Sequence, residues 1–122
     1  MTTFVLPADR VHESAGLCDY LVDRLDSDDT VHAVSTDNSS DSPQSSRDSE
    51  DAQNAVYARL GAVAAVERHS KAAETQPEAL LGVAEQTGAD EIIYNHASGG
   101  RDIGSLVSDS PCPIVVVPDG AE

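Results

Sequence analysis

The segment from Glu91 to Val117 constrains the fold of this chain more than any other part of its sequence. It holds two short apolar runs, Ile92 to Tyr94 and Ile114 to Val117, separated by a glycine-containing loop and a helix-like stretch. Runs of this length favour strands, and their lack of alternation with polar residues is typical of strands that helices cover on both faces. The segment therefore predicts a βαβ unit, with backbone N–H groups gathered at the loop where an anion could bind.

The rest of the chain repeats this alternation of strand and helix patterns. Apolar runs predict strands over 4–6, 30–34, 63–66, 91–94 and 114–117, although the alanines of the third run also permit a longer helix. Helical spacing of apolar residues predicts helices over 13–25, 50–60 and 75–87, and a short one around 103–107. We expect Thr75 to cap the third helix and Gly88 to end it. Strands joined by crossover helices predict one α/β domain over residues 1–122, with an open parallel sheet flanked by helices on both faces.

A polar stretch lies between the second strand and the second helix. Residues 35–49 include seven serines and three aspartates, and no aliphatic or aromatic residue. Such a segment buries too little apolar area to offset the entropy of ordering it, so we expect a flexible Ser/Asp-rich insertion. Its serines could also serve as phosphorylation targets or as a contact for a protein partner.

The charge of the chain is strongly one-sided. It carries 22 acidic residues against 7 basic ones, of which only Lys71 is a lysine, and its net charge is −15. Scarce lysine, few aromatic rings and many small side chains are typical of a halophilic protein, although an ordinary acidic protein is the alternative. Without a cluster of Lys and Arg, neither nucleic acid nor an anionic membrane surface is expected as a partner.

The expected location is the cytoplasm. No apolar stretch of the sequence approaches the length of a transmembrane helix, and the first ten residues lack the pattern of a secretory signal. Cys18 and Cys112 have no metal-ligand spacing, so we expect buried thiols in a reducing compartment.

Three segments resemble the universal stress protein (UspA-like) family. Val5 to Asp9 (VLPAD) resembles its opening strand, Leu80 to Ile93 (LLGVAEQTGADEII) its helix-turn-strand, and Pro111 to Val117 (PCPIVVV) its closing strand. The resemblance implies a Rossmann-like sheet of five parallel strands in the order 3-2-1-4-5. It also implies a homodimer in which the fifth strands, Ile114, Val115, Val116 and Val117, pair across a two-fold axis.

The phosphate loop of this chain departs from the family pattern. Nucleotide-binding members carry Gly-x2-Gly-x9-Gly-(Ser/Thr) after strand four, where Asn95 and Ser98 replace the first two glycines here. Aligning Gly104-Ser105 with the end of the motif preserves the hydroxyl but shortens the loop and the helix. Aligning Gly100-Arg101 there keeps the length of the helix but loses the hydroxyl. The loop is therefore incomplete in either alignment.

The resemblance nevertheless implies where ATP or AMP, with Mg²⁺, would bind. Asp9, next to Ala8, would accept hydrogen bonds from the ribose or base, and the Val34 backbone would contact the base edge. Gly99, Gly100 and the start of the following helix would hold phosphate, with Arg101 adding charge. The alternative is that the loop is only a tight connection and that Asp9 caps a helix.

Other chemistries find less support in the sequence. A response-regulator receiver needs a lysine after strand five and an aspartate after strand three, and both are missing. The four histidines, at 12, 32, 69 and 96, show no i, i+4 spacing to another ligand, so no metal site is expected. No serine or cysteine triad can be defended either. We therefore expect a dimeric binding or regulatory module of the stress response with weak or no ATP binding; the alternative is a nucleotide-binding protein with slow ATPase activity.

Overall fold

The computed structural model describes residues 2–9, 11–37, 43–73, 76–95, 108 and 110–117. Within this part the chain forms five strands: β1 (Thr3–Pro7), β2 (Thr30–Asp37), β3 (Ala65–Ala72), β4 (Glu91–Asn95) and β5 (Ile114–Val117). The connections between the first four contain three helices, α1 (Val11–Val22), α2 (Pro43–Leu60) and α3 (Gln76–Thr87). The short helix predicted around 103–107 lies outside the described residues.

The five strands form one sheet in the order β3-β2-β1-β4-β5, and all neighbouring strands are parallel. The predicted α/β class and strand order are confirmed. The sheet grows outward from β1 through β2 to β3, and then the chain crosses to the other side of β1 to form β4 and β5. The order therefore reverses between β1 and β4.

The helices cover both faces of the sheet. Alternate residues of each strand point to opposite faces, so one strand can contribute to two cores. Phe4 and Leu6 of β1 belong to a core formed with α1 and α2. Val5 between them belongs to a second core, formed with α3 through Leu80 and Val83. The middle of β1, from Phe4 to Leu6, is therefore apolar on both faces, as the two-sided burial predicted from the sequence requires.

The polar stretch 35–49 is a shorter interruption than predicted. The residues from Ser35 to Asp37 extend β2, where they pair with the end of β3, and α2 begins at Pro43 rather than near residue 50. Pairing along a neighbouring strand satisfies the backbone of β2 without any apolar side chain, and a hydropathy pattern does not register this. Residues 38–42 lie outside the described part of the chain.

The third strand was also misplaced by the sequence. Val63 and Ala64 form the turn that follows α2, where their N–H groups donate to the Leu60 carbonyl at 2.9 and 3.0 Å. The strand itself is Ala65–Ala72, a sequence (AVERHSKA) that is mostly exposed. Because β3 lies at one edge of the sheet, its backbone pairs with only one of the described strands and its side chains need not be apolar.

Among the described residues, no helix combines the length and the apolar character that crossing a membrane requires.

Two glycines offer a matched test of backbone conformation. Gly88, which ends α3, has a φ of 67°, and a Cβ there would meet nothing within 4 Å. Gly88→Ala should therefore destabilise the protein by about 1–2 kcal/mol through the left-handed conformation alone. Gly16, inside α1, has equally open surroundings, so Gly16→Ala should stabilise the protein by about 0.5–1 kcal/mol. Denaturant unfolding in concentrated KCl measures both, and destabilisation of equal size would contradict this explanation.

Two hydrogen bonds to the Asp29 side chain connect the start of β1 to the turn before β2, and their contribution to stability should depend on pH. The Asp29 carboxylate accepts hydrogen bonds from the N–H groups of Asp26 (2.9 Å) and Thr2 (2.8 Å). These donors hold the pKa of the Asp29 carboxyl below its ordinary value. Its contribution to stability is therefore present above the unfolded-state pKa of about 3.9 and is lost as the pH falls through the lower folded-state value.

We expect Asp29→Asn to melt below the wild type at neutral pH, and this difference to disappear in strong acid. Asp28→Asn is the matched control, since it removes the same charge from an exposed neighbour in the same turn. Thermal unfolding from pH 7 to pH 2 at constant high salt provides the comparison. Indistinguishable melting of the two variants across that range would show that the two hydrogen bonds do not matter.

Candidate functional site

The carboxyl ends of the parallel strands meet at one edge of the sheet. Ligands of doubly wound sheets bind outside these ends, where the strand order reverses, which is between β1 and β4 in this chain. Ala8 and Asp9 follow β1, and Val34 lies in the adjacent part of β2. The structure therefore brings these three predicted site residues to one place.

Asp9 is bonded to the neighbouring strand. Its Oδ1 accepts a hydrogen bond from the backbone N–H of Thr36 at 2.7 Å, and its Oδ2 accepts one from the Thr36 hydroxyl at 3.2 Å. The Ser49 hydroxyl of α2 is 3.5 Å from the same Oδ1. The carboxylate therefore joins the end of β1 to the extended end of β2 and to α2.

The backbone around Asp9 is likewise engaged within the protein. The Ala8 N–H donates to the Val34 carbonyl at 2.7 Å, and the Ser35 hydroxyl donates to the Ala8 carbonyl at 2.7 Å. On the other side, the buried Ser14 hydroxyl of α1 donates to the Pro7 carbonyl at 3.2 Å. The exit from β1 is thus held by side chains from α1 and β2. The contacts of Ser35, Thr36 and Ser49 were not predicted, because the composition of residues 35–49 indicated a loop.

The other residues predicted to bind a nucleotide are not tested by this geometry. Asn95 is the last residue of β4 and pairs with Val117, but its side chain lies outside the described part. The same holds for the rest of the predicted phosphate loop: Ser98, Gly99, Gly100, Arg101, Gly104 and Ser105. Both alignments of that loop stay predictions.

A second group of polar side chains lies on the face of the sheet that α3 covers. His32 of β2 pairs in register with Glu67 of β3, and His69 follows two residues later on the same side of β3. His32 Nδ1 is 2.8 Å from His69 Nε2 and 3.4 Å from Glu67 Oε2. One ligand atom from each of the three lies within 4.8 Å of the others. The sequence argument against a metal site considered spacing along the chain and not ligands on neighbouring strands.

The environment of His32 disfavours its charged form. Burial lowers the pKa of its imidazole, the adjacent His69 lowers that pKa further, and the Glu67 carboxylate opposes both effects. The His32 side chain is 7% exposed and that of Glu67 is 62% exposed. The group therefore has a buried imidazole at its base and a solvated carboxylate at its mouth.

Neither cysteine forms a disulfide. Cys18 is buried in the core beneath α1, and this burial raises the pKa of its thiol to about 12. Burial also raises the pKa of the Cys112 thiol, which lies just before β5 and is partly exposed. Both side chains are therefore thiols rather than thiolates near neutral pH, which disfavours a role as nucleophile.

The similarity of this chain to known proteins lies in its structure. No protein-family model matches the sequence, and no curated protein is significantly similar to it. A universal stress protein family member from Burkholderia pseudomallei superposes with a TM-score of 0.72 at 17% identity, covering 96% of each chain. The universal stress protein of Archaeoglobus fulgidus, in complex with dAMP, gives 0.70 at 12% identity over 95% of this chain and 97% of its own.

A third solved structure extends the comparison to a plant. A universal stress protein family member from Arabidopsis thaliana, with AMP bound, gives a TM-score of 0.72 at 11% identity, covering 97% of this chain and 92% of its own. Sequence identities this low show that the folds are similar, but they do not show that the binding sites are. The chain has the fold of the universal stress proteins.

Proposed function

We propose that this protein is a cytoplasmic, UspA-like protein of a halophile's stress response, which acts as a dimeric binding or regulatory module rather than as an enzyme. In this proposal adenine nucleotides bind weakly or not at all. The fold supports the family, and so do the three segments of sequence that resemble it. The observation that carries the weak-binding proposal is the bonding of the Asp9 carboxylate to Thr36.

A nucleotide would have to compete for Asp9. Its bond to the Thr36 N–H is charge-assisted and 2.7 Å long, which is near the optimum for such a pair. A partly buried N–H that loses its acceptor raises the free energy by about 1–3 kcal/mol. Since about 1.4 kcal/mol corresponds to a factor of ten in affinity, this competition weakens nucleotide binding by about one to two powers of ten.

The charge of the protein acts in the same direction. A chain with a net charge of −15 repels the phosphates of ATP or AMP at low ionic strength, and concentrated salt largely screens this repulsion. In the predicted loop, the first two glycines that would bring the backbone close to the phosphates are replaced. The terminal hydroxyl is either lost or kept in a shortened loop, as the two alignments of the sequence indicate.

The alternative is a nucleotide-binding protein that hydrolyses ATP slowly with Mg²⁺. One observation favours it: proteins with the same fold have been solved with AMP and dAMP bound. In that case the Asp9 carboxylate would exchange its bond to the Thr36 hydroxyl for one to the ribose, with the Thr36 N–H bond retained.

Calorimetric titration with AMP and with ATP and Mg²⁺ in concentrated KCl distinguishes the two. We expect the wild type to bind no more tightly than about 1 mM. Thr36→Val removes the hydroxyl bonded to Asp9 Oδ2 but keeps the N–H bond to Oδ1, so it should tighten binding by no more than severalfold. Asp9→Ala should abolish what binding there is. A dissociation constant of about 1 μM for the wild type, lost in Asp9→Ala, would establish the alternative instead.

The two edges of the sheet suggest which of them meets a second copy. The edge strand β3 carries Glu67, Arg68 and Lys71, charged side chains of the kind that block edge-to-edge pairing. The other edge strand, β5, has the sequence IVVV and carries no charge. Among the described strands β5 is paired on one side only. An apolar edge of this kind favours pairing, so we place the homodimer interface along Ile114 to Val117.

The direction of the backbone groups in β5 allows a specific test. The Ile92 N–H donates to the Pro113 carbonyl at 3.0 Å, so β5 turns that carbonyl toward β4. Because alternate residues turn their backbone groups to the same side, Val115 and Val117 also face β4 and the N–H of Val116 points outward. Proline at residue 116 would therefore remove a hydrogen bond of the dimer but none of the sheet.

Sedimentation in concentrated KCl should show a dimer for the wild type and a monomer for Val116→Pro. Val116→Thr keeps both the outward N–H and a β-branched side chain, so it serves as the control and should stay dimeric. Circular dichroism of the proline variant should match the wild type. A monomeric wild type, or a proline variant that remains dimeric, would contradict pairing through β5.

A further inference from the structure

The three side chains His32, Glu67 and His69 lie together where β2 meets the edge strand β3. We propose that they form a binding site for one divalent transition-metal ion of the zinc class, with water as a fourth ligand. This metal clasp, as we name the three residues, is independent of the function proposed above.

Two of the three ligand distances within the metal clasp are near those around a single small ion, and the third lies within 4.8 Å. Zn²⁺ lies about 2.0–2.1 Å from imidazole nitrogen and about 2.0–2.2 Å from carboxylate oxygen, so two ligand atoms of a tetrahedral ion are about 3.3 Å apart. The separation of His32 Nδ1 and Glu67 Oε2 is 3.4 Å. The two ring nitrogens are 2.8 Å apart and need to separate by about 0.5 Å to admit an ion at that spacing.

The 2.8 Å contact also defines what metal binding must change. At this distance one ring nitrogen donates a hydrogen bond to the other, so one of the two facing atoms carries a proton. Binding requires that ring to hold its proton on the other nitrogen, which leaves both facing atoms with lone pairs. No proton is gained or lost when both rings are neutral.

The chemistry of the donor set selects the class of ion. Two imidazoles and one carboxylate are a frequent ligand set of Zn²⁺ sites that keep a fourth position for water. Imidazole nitrogen also suits Ni²⁺, Co²⁺ and Cu²⁺, whereas Mg²⁺ and Ca²⁺ prefer oxygen. The ion would therefore not be one of the hard cations that a strongly acidic surface attracts in general.

The surroundings hold two of the ligands in place and leave the third accessible. His32 is buried and sits on a strand that is paired on both sides. Gln53 of α2 donates its side-chain N–H to the His69 carbonyl at 2.8 Å, which anchors the edge strand at that residue. Glu67 is exposed, so an ion can enter from solvent and complete its coordination with water.

The metal clasp is separate from the edge of the sheet where Asp9 lies. Thr36 lies four positions after His32 on β2, which is about 13 Å at the usual rise of a strand. An ion at the metal clasp would join β2 to β3, the edge strand whose own side chains are mostly exposed. Loss of the site should therefore leave nucleotide binding and dimerisation unchanged.

The test is titration of the metal-free full-length chain with Zn²⁺ by calorimetry, in concentrated KCl and a large excess of Mg²⁺. The excess Mg²⁺ occupies surface carboxylates, which would otherwise bind Zn²⁺ without specificity. We expect one Zn²⁺ per chain, with an affinity that Glu67→Gln and His69→Gln each weaken by at least about tenfold. Glu50→Gln, which removes the same charge from an exposed position on α2, is the matched control and should bind as the wild type does.

Titration with Co²⁺ supplies a second measurement that reports geometry. A tetrahedral Co²⁺ complex absorbs visible light far more strongly than the octahedral complexes formed by carboxylates and water. The wild type and Glu50→Gln should show the strong absorption, and His69→Gln should not. Because Glu67 and His69 are not fully buried, both variants should fold, which thermal unfolding without metal verifies. Absence of Zn²⁺ binding, or binding that both ligand variants leave unchanged, would overturn the proposal.

Discussion

The burial of β1 is the constraint on which the rest of this structure depends. It lies in the middle of the sheet, pairs with parallel strands on both sides, and has Val5 and Leu6 wholly inaccessible to solvent. A strand buried on both faces requires helices above and below, and parallel neighbours require connections that cross the sheet. α1, α2 and α3 meet both requirements at once. The same parallel arrangement places the carboxyl ends of all five strands at one end of the sheet, where Asp9 lies.

The two edges of the sheet solve the problem of unpaired backbone in opposite ways. β3 carries mostly charged and polar side chains. Val66 is its one large apolar residue, and it packs against the core. β5 is apolar and short, and is partly buried by both cores. A large negative net charge makes nonspecific association between copies unfavourable, so specific binding depends on local features of the surface. The proposed dimer edge at β5 and the proposed metal clasp at β3 are two such features, and they lie at opposite sides of the sheet.

At the carboxyl edge, one set of groups serves both the fold and any ligand. Asp9 joins β1 to β2 through Thr36, and the Ala8 carbonyl accepts a bond from Ser35. Each of these bonds satisfies a polar group next to the core, and a ligand that used the same atoms would have to replace it. The proposal of weak nucleotide binding therefore rests on the hydrogen bonds at the strand ends as much as on the altered glycine loop.

The sequence by itself determined the fold class, because uninterrupted β-branched runs and helical spacing are local patterns that burial on both faces imposes. The residues around β5 and the stop at Gly88 could be read in this way, and the family resemblance supplied the strand order. Two features were beyond such patterns. Strand β3 is polar because its place at the edge, which only the sheet order defines, removes the need for apolar side chains. His32 and Glu67 are 35 positions apart in the sequence, and only the register of β2 against β3 makes them neighbours. Tertiary structure decided these because strand pairing, unlike hydropathy, joins residues without regard to their separation along the chain.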